Sequence, residues 1–278
     1  MRFGLFGLHR GPAIDPDTVR RLAALAEAAG FESLWVGDHI ALPQDMGAAA
    51  ELPRLEALVT LSYLSASTVH VRLGAGVIVL PQRQPVLLAK QLASIDILSN
   101  GRLIVGIGVG YVERELNALG TGLTDRGART NEYLRVMSML WRDPVASFSG
   151  RFVSFNGVVQ RPTPVQMPGP PIVIGGNSPA AHARAITVGN GWYGWDLDID
   201  ETAAALFALR QAAARHQRPA ELGELEITVT PSVDLDLDTA KRYADIGVHR
   251  LTVTPKRLDA EALERLITTC GDSLVGQV

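Results

Sequence analysis

The feature that most constrains the fold is a recurring joint, in which a glycine separates a helix-like segment from a strand-like one. Gly30, Gly101 and Gly247 each follow a stretch with helical spacing of apolar residues and precede a short apolar run. A glycine just past a helix supplies the left-handed conformation that ends it. The recurrence predicts repeated βα units, whose successive strands are parallel.

Eight such units can be placed on the chain. Strands are predicted at residues 3–6, 34–36, 73–79, 103–107, 172–174, 192–194, 227–229 and 251–253. Helices are predicted at residues 16–29, 55–67, 85–98, 129–141, 179–188, 201–216, 239–246 and 260–269. Eight βα units favour a closed α/β fold, the (β/α)8 TIM barrel, with a doubly wound open sheet as the alternative. Because such barrels commonly run to about 250 residues as one unit, we expect a single domain over residues 1–278.

Composition narrows the class of protein. Hydrophobic residues make up 47% of the chain and charged residues 20%, with a net charge of −3, which argues against disorder, a nucleic-acid surface and a membrane partner. The N-terminus does not resemble a signal peptide, and no apolar run approaches the roughly 20 residues that span a bilayer. We therefore expect a cytoplasmic protein that acts on a small molecule. Cys270 is the single cysteine and the six histidines lack close ligand spacing, so no metal site is expected.

An aspartate and a histidine, Asp38 and His39, directly follow the second predicted strand. The carboxyl ends of parallel strands are where α/β proteins bind substrates and cofactors. The pair is therefore a candidate catalytic site. The alternative is structural, with Asp38 capping the next segment and His39 satisfying a nearby carbonyl group.

Two glycine-containing segments are candidates for close approach of a ligand. Gly-Gly-Asn-Ser-Pro at residues 175–179 joins a strand to a helix, so free backbone N–H groups and the positive end of the helix could bind a phosphate. The same residues are also an ordinary way to begin a helix. Gly108 and Gly110 follow the fourth strand and could admit a flat ring, although a tight turn explains them equally well.

Two insertions interrupt the alternation of strands and helices, at residues 110–128 and 145–171. The second contains a probable hairpin near residues 146–155. Loops of this length in a compact domain are usually functional or disordered. We expect either a lid over the open end of the barrel or an elaboration that contacts a second subunit.

Five motifs together resemble the bacterial luciferase-like superfamily. In order, they are Leu-Trp-Val-Gly-Asp-His at 34–39, Leu-Gly-Ala-Gly-Val at 73–77, Asn-Gly-Arg at 100–102 followed by Gly-Ile-Gly-Val-Gly at 106–110, Arg-Gly-Ala-Arg at 126–129 and Gly-Gly-Asn-Ser at 175–178. The chain is most similar to the deazaflavin branch, which uses coenzyme F420. This resemblance implies a luciferase-like (β/α)8 barrel with insertions at its C-terminal face, usually dimeric, with a deazaflavin or flavin ring in its open end.

The resemblance also implies roles for individual residues. Asp38 and His39 would lie beside the ring, with Gly76 and Val77 behind it, where relatives have a non-prolyl cis peptide. Gly108 and Gly110 would border the ring and Trp192 would face it. The cofactor phosphate would be held by backbone amides of Gly175, Gly176, Asn177, Ser178, Ala180 and Ala181. Arg10, Arg83, Arg126 and Arg129 lie in or beside the same loops and could attract the acidic tail of the cofactor, or simply be solvated.

The chain also departs from the family pattern. Sugar-phosphate dehydrogenases of this family have a glutamate just after the glycines of the fourth strand, where this chain has Tyr111. This departure argues against a sugar-phosphate substrate and leaves the acid catalyst unassigned.

Three classes of function remain open. The leading prediction is an F420-dependent oxidoreductase that transfers a hydride between the deazaflavin and a small organic substrate, with His39 handling the accompanying proton and Asp38 orienting the ring. The alternatives are a two-component FMN-dependent monooxygenase on the same barrel and a non-catalytic deazaflavin binder.

Overall fold

A computed structural model describes residues 1–257 and 259–278. The strands are β1 (Arg2–Phe6), β2 (Ser33–Val36), β3 (Arg72–Ala75), β4 (Ile78–Val79), β5 (Leu103–Gly108), β6 (Ala146–Ser149), β7 (Ser154–Val158), β8 (Ile172–Gly175), β9 (Gly191–Leu197), β10 (Glu226–Pro231) and β11 (Arg250–Val253). Eight of them form a ring of parallel neighbours in the order β1, β2, β3, β5, β8, β9, β10, β11. The ring is closed because β11 pairs with β1. The predicted closed barrel is thus confirmed, and the open sheet is excluded.

The helices surround the barrel. They are α1 (Pro16–Ala28), α2 (Ala48–Glu51), α3 (Ala57–Ser67), α4 (Pro85–Leu98), α5 (Glu113–Ala118), α6 (Arg126–Arg142), α7 (Pro179–Val188), α8 (Ile199–Arg215), α9 (Leu237–Asp245) and α10 (Ala260–Ser273). The three glycines of the recurring joint have positive φ angles, 84° at Gly30, 76° at Gly101 and 102° at Gly247, as their position after a helix predicts. Within the described residues, no helix is both long and apolar enough to cross a membrane.

The largest side chain in the interior of the barrel is a tryptophan from β2, packed with Phe6, Ile104, Val173 and Tyr193. Trp35 is 1% exposed, and its ring stacks on that of Tyr193 at 5.5 Å between centroids. Its neighbours on β1 and β3 are Gly4 and Gly74, where an added Cβ would lie 2.8 Å and 2.5 Å from the indole. The glycines on the adjacent strands therefore make room for the tryptophan.

The predicted strand at residues 73–79 is divided into β3 and β4. The break falls at Gly76 and Val77, whose peptide bond is cis, as the family resemblance implies. The Val77 side chain enters the barrel wall between Gly108 and Gly175, where a Cβ would approach its methyl groups to 2.5 Å and 2.8 Å. These two glycines therefore accommodate Val77.

The two insertions have different positions. The first contains α5, which the sequence pattern did not predict, and lies at the C-terminal ends of the strands. The second forms the antiparallel β6–β7 hairpin, whose turn is held by Glu132 of α6 through the N–H groups of residues 151–153. From there the chain returns to the opposite end of the barrel, where Gln166 donates to the Leu103 carbonyl at the start of β5. The hairpin packs beside α6, which argues against a lid at residues 145–171. The alternative, a contact with a second subunit, stays a prediction.

Candidate active site

The C-terminal ends of the barrel strands form the open end, here called the mouth, and Asp38 lies just beneath it. Its side chain is 1% exposed. The carboxylate accepts hydrogen bonds from the Val79 N–H at 2.9 Å and from Arg83, whose Nη2 lies 2.5 Å from Oδ1. Arg83 also binds Glu56 at 2.7 Å. Asp38 therefore joins the ends of β2 and β4, and it has no exposed surface to offer to a bound ring.

His39, the next residue, faces the mouth. Its side chain is 25% exposed, and Nδ1 lies 3.0 Å from Oε2 of Glu115 on α5. Glu115 is itself buried and accepts from the Ile40 and Ala41 N–H groups at 2.6 Å and 3.2 Å. Burial alone would raise the pKa of Glu115, but the hydrogen bonds from His39 and from these N–H groups outweigh it and lower the pKa. Glu115 is therefore an anion that anchors the His39 ring.

The contact with Glu115 determines which nitrogen of His39 is free. A carboxylate only accepts hydrogen bonds, so Nδ1 carries a proton and Nε2 is left for other partners. Nε2 lies 3.5 Å from the hydroxyl of Tyr111, which is 70% exposed. A partly exposed imidazole with one nitrogen anchored and the other facing the mouth is suited to exchange a proton with a ligand.

A second histidine, His9, supports the wall of the mouth. It is 2% exposed, and its Nε2 accepts from the Gly37 N–H at 3.0 Å. Burial, followed by the charges of Arg10, Arg54 and His39, lowers its pKa to about 3. His9 is therefore neutral near pH 7 and carries its proton on Nδ1, which has no acceptor in the part of the chain that is described.

The 175–181 loop connects β8 to α7 at the rim of the mouth. Gly176 is exposed and has a φ angle of 107°. Ser178 caps α7 by accepting from the Ala181 N–H at 3.2 Å, and Pro179 begins the helix. The N–H groups of Gly176 and Asn177 donate to no backbone acceptor among residues 1–257 and 259–278, so they remain free for a ligand.

Trp192 does not face the mouth as expected. It is 0% exposed and lies against His182 of α7, with 6.2 Å between ring centroids. Its Nε1 donates to the Gly176 carbonyl at 2.9 Å, so it supports the 175–181 loop from behind. Alternate residues of a strand point to opposite faces, and the aromatic residue of β9 that reaches the mouth is Trp195, which is 41% exposed.

The remaining predicted residues line the wall below the mouth. Gly76 lies against Tyr193, whose ring an added Cβ would approach to 3.0 Å. Gly108 is buried. Gly110 has a φ angle of 77°, and its carbonyl accepts a hydrogen bond from Arg126. The structure thus brings His39, Gly76 and Gly110 to one end of the barrel, with the 175–181 loop at its rim.

A separate large cavity lies at the other end of the barrel. A cavity of about 940 Å³ lies beside α6 at the N-terminal end of the barrel, between Trp141, Phe148 and Pro171. It contains none of the residues predicted for the site. In parallel barrels the chemistry belongs to the C-terminal ends of the strands, and the mouth is therefore the candidate active site.

Comparison with known proteins agrees with this architecture. The family model for luciferase-like monooxygenases matches residues 1–267. The chain belongs to this family. Its sequence relatives at 30% identity or more include flavin-dependent monooxygenases, and the luciferase-like chain is an enzyme of the oxidoreductase class.

Sequence relatives of this luciferase-like protein include both characterised and uncharacterised members. It is 32% identical over 263 residues to an uncharacterised protein of Mycobacterium tuberculosis strain H37Rv, covering 89% of each chain. It is also 32% identical over 198 residues to the oxygenase component of the flavin-dependent trigonelline monooxygenase of Acinetobacter baylyi, covering 68% of this chain and 52% of that protein.

Solved structures share the fold. The monooxygenase RslO1 from Streptomyces bottropensis superposes with a TM-score of 0.80 at 20% identity, covering 99% of each chain. An F420-dependent secondary alcohol dehydrogenase in complex with an F420–acetone adduct gives 0.79 at 16% identity, covering 98% of each chain. At these identities the similarity concerns the luciferase-like fold alone.

Three residues of this luciferase-like site were missed by sequence reasoning. Glu115 lies four positions beyond Tyr111, so it was not connected with His39 until α5 was seen to bring it back across the mouth. Arg83 was considered only as a rim cation, whereas it is 14% exposed and paired with Asp38. Trp195 was overlooked because β9 extends to Leu197, beyond the predicted end of that strand.

Proposed function

We propose that this protein is an F420-dependent oxidoreductase that transfers a hydride between the deazaflavin and a small organic substrate. The observation that carries the proposal is His39, an imidazole anchored by Glu115 at 3.0 Å with its other nitrogen free at the mouth. Hydride transfer to or from a carbonyl-type carbon is accompanied by movement of one proton. An enzyme for such a reaction needs a single group for that proton and a means of holding ring and substrate in contact.

The residues of the mouth fit a ring bearing a phosphate side chain. The 175–181 loop offers free N–H groups at the start of a ten-residue helix, an arrangement that suits a phosphate. Gly76, Val77 and Gly110 would lie on the ring side of the wall, and Trp192 would hold the loop through the Gly176 carbonyl. When bound, the deazaflavin supplies a hydride donor or acceptor at its C5 atom.

The protein's own part in the reaction is to move the proton. Nδ1 of His39 stays bonded to Glu115, while Nε2 donates to or accepts from the reacting oxygen of the substrate. Asp38 acts as a positioning residue, because its bonds to Val79 and Arg83 fix the turn from which His39 projects. Tyr111 covers the histidine from solvent.

A titration with coenzyme F420 and FMN side by side tests the cofactor assignment. We expect saturable binding of F420, measured by the quenching of its fluorescence, and much weaker binding of FMN. Tight binding of FMN alone would contradict the proposal. Turnover is then measured with reduced and oxidised F420 against a panel of small alcohols, aldehydes and ketones.

The phosphate assignment is tested by Gly176→Val. A branched side chain at a φ of 107° disturbs the loop and blocks close approach to its N–H groups. We expect cofactor affinity to fall at least about tenfold, the scale of one lost charged hydrogen bond. The matched control is Gly223→Val, which also replaces a glycine of positive φ in an open loop but lies before β10. Unchanged affinity in a folded Gly176→Val protein would reject the assignment.

The second candidate is an FMN-dependent monooxygenase. It is favoured by two sequence relatives, the oxygenase component of the trigonelline monooxygenase at 32% identity and an FMNH2-dependent dimethylsulfone monooxygenase of Pseudomonas putida at 31%. This candidate predicts oxygen consumption when reduced FMN is supplied with substrate. The F420 proposal predicts none.

A further inference from the structure

Two arginines are brought side by side at the wall of the mouth. The Leu55 N–H donates to the His9 carbonyl at 2.8 Å, and the Gly11 N–H donates to the Pro53 carbonyl at 2.9 Å. These bonds align the segment after β1 with residues 52–55, so that Arg10 and Arg54 face each other as a bridge.

The Arg10 guanidinium is held in place by aromatic rings. Its Cζ lies 5.0 Å from the ring centre of Phe6 and 5.8 Å from that of Trp195. Its Nη2 donates to the Thr254 hydroxyl at 3.2 Å. Such stacking fixes the direction of a guanidinium without neutralising it.

Neither arginine forms an ion pair in the part of the chain that the structure describes, and the opposing charge that acts on Arg54 is that of Glu115, which is itself bound to His39. Arg54 donates only to the carbonyl groups of Ala49 and Leu52, at 2.6 Å and 2.9 Å. The Nε atom of Arg10 is buried without an acceptor. Burial, together with the charge of Arg54, lowers the pKa of Arg10.

Four carboxylates around the mouth are paired with other residues. Asp38 and Glu56 are both paired with Arg83, Glu115 is paired with His39, and Asp45 is paired with Arg114. Asp196, next to Trp195, is exposed and pairs with neither arginine. Among the described residues, the protein therefore leaves two partly buried guanidinium groups without an ion-pair partner on one side of the mouth.

We propose that the substrate carries an anionic group, a carboxylate or a similar oxyanion, that is bound by Arg10 and Arg54. His9 links this pair to the candidate catalytic residue, since it directly precedes Arg10 and accepts from the Gly37 N–H, two residues before His39. The anion at the arginines would leave the rest of the substrate on the side of the mouth where His39 lies. The inference deepens the proposed function and rests on it only in calling the ligand a substrate.

The chemistry favours an oxyanion over a neutral polar group. A guanidinium binds a carboxylate through two parallel charged hydrogen bonds, about twice as strong as neutral ones. A neutral amide of the same shape leaves both positive charges uncompensated. The pair would therefore select acids over their amides or esters.

Anion accumulation can be measured before any substrate is known, because Trp195 reports on the site. Trp35, Trp141 and Trp192 are at most 2% exposed, whereas Trp195 is 41% exposed and stacked on Arg10. The ratio of the quenching constant for iodide to that for neutral acrylamide therefore measures the local anion concentration beside Trp195. We expect this ratio to fall at least about twofold in Arg10→Gln and in Arg54→Gln, because a positive cleft concentrates anions.

The quenching constant for acrylamide, which carries no charge, corrects for any change in the accessibility of Trp195. Arg54→Gln provides a second safeguard, since it keeps the stacking of Arg10. Arg210→Gln on the outer helix α8 is the matched control and should leave the ratio unchanged. Equal ratios in wild type and in both variants would overturn the inference.

Binding of benzoate and benzamide then tests the chemical class. We expect benzoate to bind the wild-type protein and benzamide to bind at least about tenfold more weakly, with the preference lost in both variants. Equal binding of the two compounds to the wild type would overturn the inference.

Cofactor affinity separates this inference from the proposed function. F420 should bind Arg10→Gln and Arg54→Gln as it binds the wild type. If both variants lose F420 affinity and keep their preference for benzoate, the arginines serve the acidic tail of the cofactor and the inference is wrong, while the proposed function stands. If the wild type binds neither F420 nor FMN, the proposed function fails, but the iodide result still decides whether the arginines form an anion site.

Discussion

Glu115 defines the chemistry of His39 by occupying one of its two nitrogens. The contact between Nδ1 and Oε2 is 3.0 Å, and the carboxylate is fixed from behind by two backbone N–H groups. The imidazole therefore presents Nε2 in a constant orientation. The same logic holds for His9, whose Nε2 is occupied by the Gly37 N–H and whose role is structural.

His39→Ala should slow turnover on the order of a hundredfold, the usual scale for losing a general acid or base. Cofactor affinity should change much less. Glu115→Gln keeps the shape but removes the charge, so we expect a smaller loss of kcat and a changed pH profile between pH 5 and 9. If His39→Asn and His39→Ala both keep wild-type turnover and pH profile, His39 has only a structural role.

His9 should make the free energy of unfolding depend on pH in the acid range. Its pKa falls from 6.5 to about 3 on folding, so below pH 6.5 the unfolded chain takes up a proton that the folded chain refuses. The free energy of unfolding then decreases by up to about 1.4 kcal/mol for each pH unit. Stability from this group is complete above pH 6.5 and is lost as pH falls toward 3.

The variant His9→Gln keeps an acceptor for the Gly37 N–H and does not titrate. We expect denaturant titrations to show a shallower loss of stability from pH 6.5 to 4.5 in this variant than in the wild type. Parallel curves would show that the His9 proton is not linked to folding. Carboxylates titrate in both proteins and cancel in the comparison.

At the scale of elements, neighbouring strands of the barrel contribute side chains of very different size to its interior. β2 contributes Trp35, while its neighbours β1 and β3 contribute Gly4 and Gly74 beside the indole. A large residue on one strand and glycines on the adjacent strands keep the interior filled without crowding. The strand order thus determines which positions must be glycine.

Gly74→Ala should destabilise the barrel. The new Cβ would lie 2.5 Å from Trp35, and overpacking of this kind costs about 1–3 kcal/mol. Thermal or denaturant unfolding measures the effect. Gly122→Ala, where the Cβ would lie at an ordinary 3.6 Å from Asn117, is the control. Equal stability of Gly74→Ala and the control would show that Trp35 can move aside.

At the scale of the whole molecule, the two ends of the barrel have separate tasks. The mouth carries the candidate catalytic histidine and two arginines without ion pairs among the described residues, while the opposite end is closed by Arg250, which is 0% exposed and paired with Glu32 and Glu226. The β6–β7 hairpin belongs to the side of the barrel, since its turn is held by Glu132 on α6. Structure and chemistry can therefore be perturbed independently.

Glu132→Gln should loosen the hairpin without affecting the mouth. The side chain accepts three N–H groups at 2.8–2.9 Å, and its charge strengthens these bonds. We expect faster amide hydrogen exchange over residues 146–158, corresponding to about 1–3 kcal/mol of local stability, and unchanged cofactor affinity. Glu224→Gln, at an exposed position, is the control. A loss of cofactor affinity in Glu132→Gln would mean that the hairpin does act on the mouth.

The sequence was sufficient to predict the barrel and much of the mouth, because both depend on local patterns. The glycine joints and the strand that precedes Asp38 can each be recognised from a few consecutive residues. Contacts that depend on loop geometry were not predictable. Nothing near Glu115 in the sequence indicates that α5 returns it to His39. The end of β9 was placed three residues too early, so Trp195 lay outside the predicted strand.

The position of Glu115 also bears on how this scaffold can change over evolutionary time. His39 follows β2, a strand of the barrel itself. Glu115 and Tyr111 belong to the first insertion, between β5 and α6. If a descendant protein acquires a different insertion here, it replaces both the partner of His39 and one wall of the mouth in a single event. Recombination at its two boundaries would thus create new specificities, with the histidine inherited intact.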